Sequence, residues 1–236
     1  SNSTTQTKSG LESIINDTIS AYNDSDLKNF NNPFRHSKLT GQIDDTDTAI
    51  LNNTVTVTMG KFITPTLSTK QSFIVNFANA LFNPHSGHNA DAGGIIASTG
   101  FYLGGTTEYF FDDDGAGNLR IYSLVAGARV YFDSAAGTID YTNGKVTINP
   151  LTITAISNVD EETSLSIRIT AIPNSNDVVP VRNQILEIDL TNTTITGSVD
   201  QTTTTGTGYT TTVTSGGTVT STTVSTPAST ATSSGY

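Results

Sequence analysis

The run Thr54-Val55-Thr56-Val57-Thr58-Met59 alternates polar and apolar residues without a break. A period of two puts both valines and Met59 on one face of an extended chain and the threonines on the other. The alternation returns at residues 71–80, where Phe73, Val75 and Phe77 share a side. Two strands joined through the Pro65 loop would make a hairpin-like pair with one apolar face. Asn143-Gly144 sits between the alternating runs Gly137-Thr138-Ile139-Asp140-Tyr141 and Lys145-Val146-Thr147-Ile148, a strong short-range hairpin signal. Further strands are expected at residues 93–99 (short or irregular), 108–111, 119–124, 128–132, 151–156, 165–172 and 184–190. Turn residues recur about every dozen positions, which suits a sandwich or a stacked meander and not a βαβ sheet.

Composition agrees. Thr (43), Ser (24) and Asn (20) dominate the 236 residues, and β-friendly Thr far outnumbers Lys and Glu. Cysteine is absent, which excludes disulfides, zinc–thiolate sites and a cysteine nucleophile. The net charge of −10 argues against nucleic-acid binding, which needs Lys and Arg to neutralise phosphates. No run of about 18 apolar residues offers a membrane-spanning helix. No signal peptide is visible, and the only Met is Met59, so the chain reads as a processed product or a piece of something longer.

The predicted class is α+β, mainly β: an N-terminal helix, then antiparallel strands and hairpins, then a Thr-rich tail. Leu11, Ile14, Ile15, Ile19 and Tyr22 recur at helical spacing, with Ser9 placed as N-cap. Asn32-Pro33 breaks that pattern, and residues 43–50 read as an acidic connector. This divides the chain into 1–50 (helix and connector), 51–200 (mainly β) and 201–236. The last stretch holds 16 Thr, 6 Ser and 5 Gly and no charge. It is expected to be disordered, or ordered only against a partner.

Candidate chemistry is sparse. Asp112, Asp113 and Asp114 precede Gly115 and Gly117 and suggest a calcium loop, but an EF-hand would need an oxygen donor at Ala116 and Glu at Ser123. The competing reading is a hairpin turn whose aspartates accept backbone N–H bonds. His85 and His88, with Asp91 nearby, have a spacing that can chelate a metal on a turn. No nucleophile elbow, phosphate loop or dinucleotide fingerprint occurs, so an enzyme is not expected and no cofactor is implied. Arg35, Lys38, Arg120, Arg168 and Arg182 are scarce cations in an acidic chain, each a candidate for a specific ion pair.

Several segments resemble one family as a set. They are Asn32-Pro33-Phe34-Arg35-His36-Ser37-Lys38-Leu39 with Ile43-Asp44; Ser98-Thr99-Gly100-Phe101; Asp112-Asp113-Asp114-Gly115-Ala116-Gly117-Asn118-Leu119-Arg120; Gly137-Thr138-Ile139-Asp140-Tyr141-Thr142-Asn143-Gly144-Lys145-Val146; and Pro173-Asn174-Ser175-Asn176-Asp177-Val178-Val179-Pro180-Val181-Arg182-Asn183-Gln184-Ile185-Leu186. Their order and spacing resemble the C-terminal part of the large baseplate wedge subunit of T-even-like contractile-tailed bacteriophages, with marine and cyanobacterial phage relatives nearest. The resemblance covers roughly residues 10 to 200; the Thr-rich tail departs from the pattern. It implies a non-enzymatic virion protein of the tail baseplate, assembled in the host cytoplasm. That family's subunit associates with itself and with other baseplate wedge proteins, joins wedges into a ring and transmits the contraction signal. The competing function is a secreted or surface β-domain, an adhesin-like binding module stabilised by calcium at Asp112, Asp113 and Asp114.

Two stretches combine a cation, apolar residues and Pro-restricted backbone, a recipe for a rigid contact patch. The interface residues expected from them are Pro33, Phe34, Arg35, Lys38 and Leu39 in the first, and Asp177, Val178, Val179, Arg182 and Ile185 in the second.

Overall fold

The computed structural model describes residues 6–88, 94–158, 164–181 and 183–198, together with strand backbone between 204 and 224. It is mainly β. Helix α1 (Lys8–Tyr22) opens the chain, and Asn23–Leu27 prolongs it as a π-helical turn. The N-cap is Thr7, not Ser9: Thr7 is extended and its hydroxyl accepts from Gly10 N–H at 3.1 Å. Ser9 lies inside the first turn, with its own hydroxyl bonded to that of Thr7. Ile19 and Tyr22 are the buried positions of α1.

Helix α2 (His36–Asp44) replaces the first part of the expected connector. Leu39 and Ile43, four apart, are its buried face. Ile43 therefore serves the core and does not belong to an acidic link.

Seven antiparallel strands form the larger sheet. They are β2 (Lys70–Asn76), β4 (Phe101–Tyr102), β5 (Glu108–Asp113), β6 (Asn118–Val125), β7 (Ala128–Asp140), β8 (Lys145–Thr152) and β9 (Ala155–Ile156), in the order β2-β8-β7-β6-β5-β4-β9. Strands β5 to β8 are a consecutive meander. The smaller sheet has the order β1-β10-β3, built from β1 (Met59–Ile63), β3 (Ile96–Ser98) and β10 (Ile167–Ala171). Strands β1 and β2 thus belong to different sheets, and the hairpin expected across Pro65 does not form. Pro150 sits within β8 where the β2 register shifts between Gln71 and Phe73, so no ladder bond needs its missing N–H.

Two alternating segments lack ladders. At 51–58 the burial does alternate, with Val55 and Val57 half-buried and the threonines exposed, but the strand begins only at Met59. Residues 184–190 behave alike: Leu186, Ile188 and Leu190 are half-buried with no ladder partner among the described residues. Both segments are tied to helices by side chains. The His36 ring meets Val55 O at 3.0 Å, and Ile188 N–H donates to the buried Asn23 Oδ1 at 2.7 Å.

Buried side chains of both sheets and both helices join in one core, including Tyr22, Leu39, Met59, Phe101, Phe111, Leu119, Val146, Ile148 and Ile169. In the Thr-rich segment the backbone of β11 (Thr204–Thr205), β12 (Gly208–Ser215) and β13 (Thr218–Val224) pairs as an antiparallel meander of its own. The rest of 201–236 lies outside the described residues.

Candidate interaction site

The two expected contact stretches, about 140 residues apart in sequence, meet. Phe34 and Val178 form an isolated antiparallel bridge, with Phe34 N–H to Val178 O at 2.8 Å and Val178 N–H to Phe34 O at 3.1 Å. Both side chains are 7 % exposed. Next to them Asp177 does two things. Its Oδ1 accepts the His36 N–H at 2.9 Å, and its Oδ2 accepts from Arg35 Nη1 at 2.9 Å. Arg35 is the N-cap position of α2 and offers the helix no side-chain oxygen. Asp177 supplies that oxygen from a remote segment, and a carboxylate there also suits the helix dipole. The Arg35 guanidinium first, and then the His36 N–H, hold the Asp177 carboxyl below the ordinary carboxylate range.

Tyr22 fastens the other side. Its hydroxyl accepts from Arg35 N–H at 2.9 Å, and its ring meets Phe34 edge-on, with centroids 5.8 Å apart. Lys38, on the outer face of α2, bonds the Asp26 carboxylate, and this bond holds that carboxyl below its usual range. The 177–179 segment is also gripped from the sheet side. Asn79 donates through Nδ2 to Val179 O at 2.8 Å and accepts Val179 N–H on Oδ1 at 2.9 Å.

The expected interface residues therefore divide. Phe34, Leu39 and Val178 are buried and anchor the junction from within. Pro33 and Asp177 are half-buried, Asp177 paired to Arg35, while Arg35, Lys38, Val179 and Ile185 are exposed. Arg182 lies outside the described residues.

The three aspartates of the candidate calcium loop point to three places. Asp112, in β5, is buried against Arg120 (Nε–Oδ1 2.8 Å), Arg129 (Nη1–Oδ2 2.9 Å) and the Tyr131 hydroxyl (3.1 Å). Asp113 faces the other side of the sheet and accepts from Ile96 N–H, Gly115 N–H and the Tyr141 hydroxyl. Asp114 closes the turn, accepting from Ala116 and Asn118 N–H and from the Asn118 amide. Burial and the Asp113 bond push the Tyr141 phenol far above its ordinary range. Among the described residues no group of three or more His, Cys, Asp or Glu side chains converges in a way that could hold a metal ion.

One surface gave too little signal to be singled out from sequence. The β6–β7 hairpin runs past the rest of its sheet, and residues 124–130 are all exposed. Leu124, Val125, Val130 and Phe132 are at least half exposed, Phe132 at 62 %. In sequence their alternation is indistinguishable from that of a half-buried strand.

The comparisons bear on the segment that supplies α1, α2 and the Arg35 side of this junction. Residues 1–61 match the family model described as baseplate structural protein gp6, C-terminal domain III. The match supports a structural role in a phage baseplate, and with it a virion-tail location, contacts with other baseplate proteins and a non-enzymatic chain. It spans about a quarter of the sequence and ends within β1. No curated protein matches the chain. Among the described residues, no helix is long and apolar enough to cross a membrane.

Proposed function

We propose that this chain is a baseplate wedge subunit, or a part of one, which works through protein–protein contacts that build the baseplate ring and carry the contraction signal. The observation that carries the reading is the match over residues 1–61, whose helices pack against the remote 177–190 segment. A module stapled to distant chain at several points moves as a unit, and a unit that moves whole can relay a displacement from one neighbour to the next. The contact surface is assigned to Arg35, Lys38, Val179 and Ile185, backed from inside by Phe34, Leu39 and Val178, with Arg182 as a further candidate. The partners are a second copy of the chain and neighbouring wedge proteins.

Light scattering behind size-exclusion chromatography, over a wide concentration range, tests the self-association. A defined dimer or closed assembly is expected. The Val179→Ser variant should weaken it while the melting temperature stays within about 2 °C, since exposed substitutions shift stability little; Lys38→Glu, which also sets a second carboxylate beside Asp26, should weaken it with some loss of stability. A strict monomer at the highest concentration, or association unchanged in both variants, would overturn the assignment of this surface.

A further inference from the structure

The loop following Leu81 holds two imidazoles in an arrangement that the proposed assembly role does not use. His85 Nε2 and His88 Nδ1 are 3.1 Å apart, with ring centroids 4.7 Å apart and planes at 81°. Both rings are exposed. The loop beneath them is fastened at four points. Gly87, at φ +75°, donates its N–H to Gly115 O at 3.0 Å, and Asn83 Nδ2 donates to the same carbonyl at 3.0 Å. His88 N–H donates to His85 O at 3.1 Å, and the His88 ring meets Phe82 edge-on at 5.5 Å. The His88 imidazole is thus held by Phe82 as well as by its contact with His85.

The hydrogen-bond partners assign the tautomers of the neutral rings. His85 Nδ1 lies 3.3 Å from Ser86 O, and a carbonyl oxygen only accepts, so Nδ1 carries the proton and Nε2 carries the lone pair. The 3.1 Å contact then has His88 Nδ1 donating to His85 Nε2. An imidazole that donates one N–H to a backbone carbonyl and presents the other nitrogen bare is held as metal-ligating histidines usually are. The separation fits as well. Two imidazole nitrogens bound to one cation, each at about 2.0–2.1 Å and at tetrahedral to right angles, stand about 3 Å apart. Moving the His88 proton from Nδ1 to Nε2 frees the second lone pair without changing the net proton count.

We propose that His85 Nε2 and His88 Nδ1 form a binding site for a divalent transition-metal cation such as Zn²⁺, Ni²⁺ or Cu²⁺, with water completing the coordination. Imidazole donors select these ions over Ca²⁺ and Mg²⁺, which take oxygen ligands. Asp91 lies outside the described residues, and the site stands without it.

Calorimetric titration of the whole chain with ZnCl₂ tests this, alongside imidazole ¹⁵N–¹H spectra. One saturable site is expected, removed by EDTA, with the His85 Nε2 and His88 Nδ1 resonances moving and those of His36 staying put. Losing even a group that only orients a ligand costs about 10–100-fold in metal affinity. His85→Ala and His88→Ala should therefore each weaken Zn²⁺ at least about tenfold, with the melting curve in EDTA unchanged. His36→Ala, whose imidazole lies at Val55 O, serves as the control and should bind as the parent does. Absence of saturable binding up to millimolar Zn²⁺, or binding retained in both variants, would overturn the proposal. Equal affinity for Ca²⁺, with the His85 and His88 resonances unmoved, would overturn it too, because the donors would then not be imidazoles.

Discussion

Asp112 and Asp113 are adjacent, both almost fully buried, and face opposite sides of the same sheet. Period-two geometry separates them: one neutralises arginines while the other accepts backbone and phenol hydrogens. Asp112 bonds both Arg120 and Arg129. The Asp112→Ala change removes the buried carboxylate that Arg120 bonds, a loss of about 3–5 kcal/mol for a buried pair broken on one side. Urea denaturation should show that drop with an unchanged slope. Because the oxygens of Asp112, Asp113 and Asp114 already accept from protein donors, millimolar calcium should leave the melting temperature where it was. A rise in a calorimetric scan would revive a calcium-binding module. Asp177 gives a pH prediction. Its folded-state pKa is lowered by Arg35 and the His36 N–H, so its contribution is present above the unfolded value near 3.9 and is lost as pH falls through the folded value. The His36 amide resonance should report this directly, titrating with a midpoint below about 3.9. A midpoint at or above that value would show that the cap is not formed.

Elements were legible where the signal was local and illegible where it depended on a distant partner. Strands β5, β6 and β10 lie where alternation and turn residues put them, since a strand's burial period is written in its own residues. At 54–58 and 184–190 the same alternation appears without pairing. Alternation reports which side faces the core, while a ladder needs a second strand alongside, and here helices take that place. Helix α2 was missed because its N-terminal oxygen comes from Asp177 and its apolar face is only Leu39 and Ile43. The two stretches stood out in sequence as scarce cations beside Pro-restricted backbone, but nothing in a linear reading says that they meet each other. The hairpin between β7 and β8 was legible, yet it is longer than an Asn-Gly turn. Asp140 pairs with Lys145, and its carboxylate accepts the Asn143 N–H at 3.0 Å inside the turn. Gly144, at φ +65°, has a second reason to be glycine: a Cβ there would lie 2.0 Å from Asn79 O. Gly144→Ala should therefore cost more than the roughly 1–2 kcal/mol of a left-handed alanine, because the 77–81 segment must also shift. If the loss measured by thermal denaturation stays below about 1 kcal/mol, the close approach is not real.

At the scale of the molecule the hairpin turn, the 77–81 segment, the 177–179 segment and α2 form one line of bonded contacts. Phe77 N–H donates to Gly144 O, the Asn79 amide clamps Val179, and Asp177 caps α2. The line joins the seven-stranded sheet to the helical end. At the far reach of that sheet, β6 and β7 project as a ribbon with apolar side chains on both faces: Leu124 and Tyr131 to one side, Val125, Val130 and Phe132 to the other. A ribbon apolar on both faces cannot hide by lying on its own sheet, and an exposed two-stranded edge invites pairing. Its residues 121–136 carry only Arg129 and Asp133 as charges, so this part of a −10 chain can approach a like-charged neighbour without strong repulsion. A neighbouring baseplate protein that covers this ribbon would gain about 25 cal/mol for each Å² of apolar surface removed from water. The Phe132→Ser and Val130→Thr changes should therefore leave unfolding nearly untouched, because neither side chain is in the core. They should reduce concentration-dependent association, as measured by sedimentation velocity, and should do so additively with Lys38→Glu, since one surface is the β6–β7 ribbon and the other the α2 junction. Association unaffected by the ribbon variants, together with full loss in Lys38→Glu, would confine the interface to the α2 junction and leave the ribbon as ordinary exposed surface.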